Sequence, residues 1–272
     1  MNWRAIQALA RRDLLVVLRS KGILIPMIVL PVIMMVLLPG GIALFAPAIA
    51  DAPGADADFE MMLQAMPPEQ QARYAAMSLD QVMVELLVLH FFAPMFLIIP
   101  LMVASTIAAN SFAGEKERKT LEALIYTPTT DTELLVGKLL TAWIPALAVT
   151  LVSFVLYGVV VNAAAWPTMG RVFFPNLMWM VLVIWVAPPA AGLGLSAMIL
   201  VSAKTNSFQE AYQIGSVVVL PVVLLLLGQV SGVMYLSIGV LVIVGLVFWL
   251  IDAAILWYSA RIFHRDEMIA RL

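Results

Sequence analysis

The 272-residue chain contains no cysteine, which excludes disulfide bridges and thiolate metal centres. Its two histidines, His90 and His264, are too few for a membrane enzyme built on clustered histidine ligands. Charge is equally scarce. Asp, Glu, Lys and Arg supply only 12% of residues, where soluble domains carry roughly a quarter. At 63% hydrophobic residues and a mean hydropathy of +1.02, too little polar surface exists to cover a soluble domain. The net charge of −2 gives no basis for binding nucleic acid or an acidic partner. The period-two alternation of a membrane β-barrel is missing, as is any Ser/His/Asp arrangement for nucleophilic catalysis. A nucleotide-binding P-loop, G-x-x-x-x-G-K-[ST], is also missing. Gly137-Lys138 is followed by Leu139 and preceded five residues earlier by Thr132. The first apolar run is too long for a cleavable signal peptide and has no small-residue cleavage site after it.

What the chain does have is long apolar runs. A membrane-crossing helix needs about 20 mostly apolar residues. Six windows qualify: 22–45, 83–112, 134–161, 173–201, 211–228 and 234–262. The expected fold is therefore an all-α integral membrane protein, a single domain over residues 1–272 with six transmembrane helices. No internal repeat divides it. The fifth window contains Pro221 and is followed by a short Gly-Gln-Val-Ser-Gly link, so both a simple crossing and a re-entrant pair of half-helices stay open.

Six spans place both termini on one side. That side would hold 13 of the 15 Lys and Arg residues and the other only Arg73 and Arg171. The positive-inside bias makes the termini cytoplasmic, in a multi-pass protein of the plasma or inner membrane, read here as prokaryotic. The external segment 46–82 is rich in Ala, Pro and acidic residues and too short for its own core; one or two small helices are expected there, one near 58–66. Residues 3–20 read as an interfacial helix. At about 100° per residue, Trp3, Ile6, Ala10, Leu14 and Val17 share one face, while Arg4, Arg11, Arg12 and Arg19 cluster on another to meet anionic headgroups.

The densest charge lies at 110–140, between the second and third apolar runs. Gly114 is the expected end of the second helix. Glu115 and Lys119 follow at the favourable i,i+4 spacing, and Leu121, Leu124 and Ile125 form a short apolar stripe. Pro128 ends that segment. Thr130 and Glu133 then form a capping box at the start of the third span, and Ser207 and Glu210 form another before the fifth. The residues alone allow two readings: a connector held against headgroups by Lys116, Arg118 and Lys119, or a docking face for a soluble partner.

The run Gly114-Glu115-Lys116-Glu117-Arg118-Lys119-Thr120-Leu121-Glu122-Ala123-Leu124, then Thr127-Pro128, then Gly137-Lys138, resembles the signature of type-two ATP-binding cassette (ABC) export permeases. The external segment is similar to that of the sodium-efflux-like and multidrug-like branches. The resemblance implies that region 113–128 contains a coupling helix. Glu115, Lys116, Glu117, Arg118, Thr120, Leu121, Glu122, Leu124 and Ile125 would contact an ATPase subunit. It further implies a second permease chain, identical or not. No cofactor is expected in this chain; ATP and Mg would belong to the partner ATPase, and the chain itself would perform no chemistry.

Within the spans, Asp252 is the one clear ionisable group, and Asn110 sits near the inner end of the second span. Both are candidates for a pathway or an interhelix contact. Glu85 and His90 lie at the outer end of the second span, where water is expected to reach them. Prolines 94, 100, 145, 188, 189 and 221 are expected to kink their helices. Apolar, Met-rich spans suit a lipid-like or amphiphilic substrate. The rival readings are a stand-alone secondary transporter or channel, and a membrane scaffold that transports nothing. The charge bias generates a direct expectation. In this cysteine-free chain, Gly54→Cys is labelled by an impermeant thiol reagent on intact cells. Thr120→Cys is labelled only after permeabilisation; the reverse pattern refutes the topology.

Overall fold

The computed structural model describes residues 3–64, 68–118, 130–205, 207–230 and 236–262. Among these residues the protein is all helix, and six helices are long and apolar enough to cross a membrane. Helix α1 (Trp3–Arg19) precedes the first crossing helix, α2 (Lys21–Ala50). Two short helices, α3 (Ala55–Gln64) and α4 (Pro68–Tyr74), lie between α2 and the second crossing helix, α5 (Leu79–Glu117). The third is α6 (Asp131–Ala164), and a single turn, α7 (Trp166–Met169), leads on to α8 (Leu177–Ser202). Finally come α9 (Phe208–Gln229) and α10 (Ile238–Ile262).

Helix starts follow from short polar side chains, which supply acceptors to first-turn N–H groups that have no helical partner. Thr130 Oγ1 accepts from the Glu133 amide at 3.2 Å, and the Glu133 carboxylate accepts from the Thr130 amide at 3.1 Å. Ser207, Asn176 and Ser237 cap α9, α8 and α10 in the same manner. Ser78 and Gln81 form a capping box at α5. The α9 helix continues through Pro221 in 22 residues, with a tighter 3-10 turn at Ser216–Val219 just ahead of it, and at about 33 Å by the helical rise it is long enough to cross the bilayer.

Local helix geometry changes just ahead of three of the prolines. Three stretches take the wider π-helical turn: Ile33–Leu37, Val84–Phe91 and Leu182–Val186. Each lies just ahead of a proline, at 39, 94 and 188. A proline has no N–H and its ring crowds the carbonyl four residues back, and a widened turn relieves that crowding. Pro145, by contrast, sits inside α6 without interrupting it. In α5 the carbonyls of Val88 and Leu89 receive side-chain donors instead: the Tyr157 hydroxyl and, at 2.8 Å, the Trp179 indole. These two rings stack at 4.7 Å within a cluster that includes Phe92, Phe96, Phe154 and Phe174. Glu85 and His90 are buried here rather than watered, with His90 Nδ1 lying 3.3 Å from the Glu85 carbonyl oxygen. The aromatic packing closes the end at which solvent access was expected.

The centre of the bundle is the α5–α8 pair. Of their apolar stretches 67% and 78% are buried, against 17% for α9 and 22% for α10. Small residues let the two backbones approach. Ala104, Ala108, Ala190 and Ala191 are fully buried, and a methyl group on Gly194 would stand 2.4 Å from the Leu101 carbonyl oxygen. Gly194→Ala is therefore expected to force α5 and α8 apart and to cost roughly 1–3 kcal/mol. Gly22→Ala, where nothing lies within 4 Å, leaves stability unchanged. Thermal unfolding of both variants in detergent checks the contrast.

Candidate functional site

At the charged end of the bundle, Glu115 of α5 stands between α1 and α6. Lys138 of α6 places its Nζ 2.5 Å from Glu115 Oε2, donates to the Ser111 carbonyl, and lies 5.0 Å from the Phe112 ring centroid. Arg12 of α1 reaches Glu115 Oε1 at 2.5 Å and Asp13 Oδ1 at 2.7 Å. The other oxygen of Asp13 faces Lys138 Nζ at 4.0 Å. Among the described residues, two cations and two anions thus meet across three helices.

The four members do not weigh equally. The Arg12 side chain is 45% exposed, so solvent screens its pairing, which is worth about 0–1 kcal/mol. The Lys138 side chain is 1% exposed. Its removal would leave Glu115 and Asp13 as poorly compensated carboxylates, at a cost of roughly 3–5 kcal/mol. Lys138 is therefore the residue on which the cluster's balance turns.

The last two residues of α5 and the C-cap Arg118 are also committed within the chain. Lys116 Nζ donates to the Thr205 carbonyl at 3.0 Å. Glu117 Oε2 accepts the Phe208 amide at 2.9 Å, which places a carboxylate at the first turn of α9 where the helix dipole favours it. Arg118 folds back to donate to Asn110 Oδ1 at 2.8 Å. Gly114 makes that fold possible, because a methyl there would lie 3.0 Å from the guanidinium and 3.1 Å from Asn110 Oδ1.

One expectation is corrected. The second helix does not end at Gly114 but continues to Glu117, held by partners on neighbouring elements. Glu115 pairs with Lys138 and Arg12. Lys116 and Arg118 bond to the protein itself. Lys119, Thr120, Leu121, Glu122, Leu124 and Ile125 lie outside the described residues.

Arg12, Asp13 and Lys138 were missed as site residues, though Asp13 and Lys138 left a trace. Asp13 falls seven residues after buried Ile6 and four before buried Val17, an acid on the apolar face of α1. Lys138 follows buried Leu134 and Leu135 at helical spacing. Trp3, assigned to the apolar face, is exposed.

Asp252 is buried away from this cluster. Ser196 Oγ of α8 donates to its Oδ1 at 2.9 Å, and the absence of a side chain at Gly192 leaves room for the carboxyl. Asn110 bonds Arg118 within its own helix.

The model described as ABC-2 family transporter protein matches residues 7–257. The chain belongs to the ABC-2 transporter family. The match runs from α1 into α10, so the ion cluster and Asp252 both fall inside it. This ABC-2 protein is thus a multi-pass transport permease, of a family that is in general non-catalytic. No curated protein and no solved structure matches it significantly.

In this ABC-2 bundle, Lys138→Met is expected to destabilise by roughly 3–5 kcal/mol. The double variant Lys138→Met with Glu115→Leu recovers much of that loss, because it removes the stranded charge together with its partner. Thermal unfolding of the single and double variants, with the coupling taken from the cycle, measures both.

Proposed function

We propose that this ABC-2 protein is the membrane-spanning subunit of an exporter driven by a separate ATPase, which supplies the ATP and Mg chemistry. The working unit pairs two permease chains with the ATPase subunits. The reading places the termini and the 113–128 region on the cytoplasmic side of the cell membrane, on the Lys/Arg bias. The apolar, Met-rich spans favour a lipid-like or amphiphilic substrate, and the external segment favours a sodium-efflux-like or multidrug-like relative.

One observation supports the transmission role above others. Residues 115–117 tie the end of α5 to α1, α6, the Thr205 turn and the start of α9. A push on that end displaces several helices together, where a loose loop would absorb it. The proposed division of labour follows. Glu115, Lys116 and Glu117 transmit force, Arg118 stiffens the helix end through Asn110, and Thr120, Leu121, Glu122, Leu124 and Ile125 form the docking face.

Co-purification with the ATPase, paired with ATPase assays in vesicles, separates the two roles. Leu121→Asp is expected to lose the ATPase from the complex. Glu117→Gln, which weakens the acceptor for Phe208, keeps the ATPase bound but lowers transport by about tenfold or less, the range of a single charge-assisted hydrogen bond. Retention of the ATPase by Leu121→Asp, or transport by the lone chain without nucleotide, refutes the reading.

A further inference from the structure

An acid inside a membrane span ordinarily marks a transport pathway. Asp252, however, leaves no room for a passing group, being 5% exposed. Its Oδ1 accepts the Ser196 hydroxyl at 2.9 Å, and its Oδ2 fills the notch at Gly192, where a methyl group would overlap it. What encloses the carboxyl is the contact between α8 and α10.

That contact is keyed twice. Trp185 of α8 lies over Gly245 of α10, so closely that a methyl group there would overlap the indole. Seven residues further along each helix the roles are exchanged, and Gly192 of α8 receives Asp252 of α10. Seven residues are about two turns, or about 10 Å, so both keys fall on the same face of each helix. Sliding either helix by one turn drives Trp185 and Asp252 out of their notches together. Each key is also bonded: Trp185 Nε1 donates to the Val242 carbonyl at 3.1 Å, and Ser196 donates to Asp252.

The rest of α10 is bare. Its buried positions Leu241, Gly245, Phe248, Asp252 and Ser259 form one narrow seam. Among the described residues it packs along α8 and makes no comparable contact with any other helix. Apolar packing between helices in lipid sets closeness rather than register. Two notches and two bonds set register and rotation as well.

We propose that α8 and α10 form a keyed pair that moves as one body, in which Asp252 is a positioning residue and not part of a charged pathway. The bond from Ser196 requires an oxygen at residue 252, not a charge. The inference goes beyond the exporter reading and stands whether or not an ATPase partner exists.

The absence of cysteine allows spin labels to be placed in pairs. Leu177→Cys with Tyr258→Cys, both at exposed positions, labels α8 and α10 about 32 Å apart along their common direction. The full chain is reconstituted in lipid nanodiscs and the distance distribution is measured by pulsed electron paramagnetic resonance. A single narrow peak is expected. Asp252→Asn, which keeps the oxygen and drops the charge, retains it. Trp185→Phe with Asp252→Leu keeps the bulk of both keys, removes both bonds and loses the narrow peak. Ile144→Cys with Leu177→Cys reads α6 against α8, and its distribution stays the same in that variant because the bundle itself remains folded. A broad α8–α10 distribution in the wild type, or broadening by Asp252→Asn, overturns the proposal. So does an unchanged peak once both bonds are gone, or an equal broadening of the α6–α8 pair.

Discussion

Glu115 carries a formal charge into a place where its side chain is only 11% exposed, and among the described residues cations from two other helices meet it there. One of them, Lys138, is itself almost sealed from water. Neither group is at home without the other, so α5 and α6 cannot separate at this end without exposing or stranding a charge. Arg12 adds α1 to the same knot from its wetter side. The later residues of α5 then repeat the pattern with weaker bonds, to the Thr205 turn and to the first turn of α9. The result is a helix end fastened on several sides, in a protein whose other contacts are mostly apolar and non-directional. Directional bonds fix positions; apolar contacts in a membrane fix mainly how closely helices pack.

The bundle is divided along its length by the kind of packing that each part uses. Near the charged end, alanines and glycines bring α5 and α8 into close contact. Toward the other end, where Glu85 and His90 are buried, six aromatic side chains fill the volume among α5, α6 and α8. Asn162 secures the connection there: its amide donates to the Gly158 and Phe174 carbonyls, and its oxygen accepts from the Phe173 and Phe174 amides. The peripheral helices α9 and α10 touch this centre at fewer places. One of them is the Asp252–Ser196 bond, which marks α10 against α8 at a glycine.

Much of this was legible from residue order, because the bilayer imposes coarse rules. Six apolar stretches gave six helices, with ends displaced by a few residues, and the Thr130–Glu133 cap lies where its pattern placed it. The cap at Ser78 was legible in its own Ser-x-x-Gln pattern, whereas Asn176 and Ser237 lack the Glu or Gln three residues on that completes a capping box. The burial of Glu115 was not legible for a different reason. Its two partners lie 103 and 23 residues away, and charge in a loop ordinarily marks a solvated surface. Only the placement of α1 against α6 brings Arg12 and Lys138 to it. The π-helical turns were hidden as well. A proline announces that a helix will be perturbed, but neighbours decide whether it bends, breaks or widens.

That widening has a geometric consequence for α5. A π turn holds more residues than an α turn, so it re-indexes every side chain beyond it around the helix axis. The stretch before Phe92 packs against α2 and gives its Val88 and Leu89 carbonyls to side chains of α6 and α8, while the stretch after Ile98 lies mainly along α8 and α6. Through one slackened turn, a single transmembrane rod turns a different flank toward its neighbours at each end, and rotation at one end need not be copied at the other.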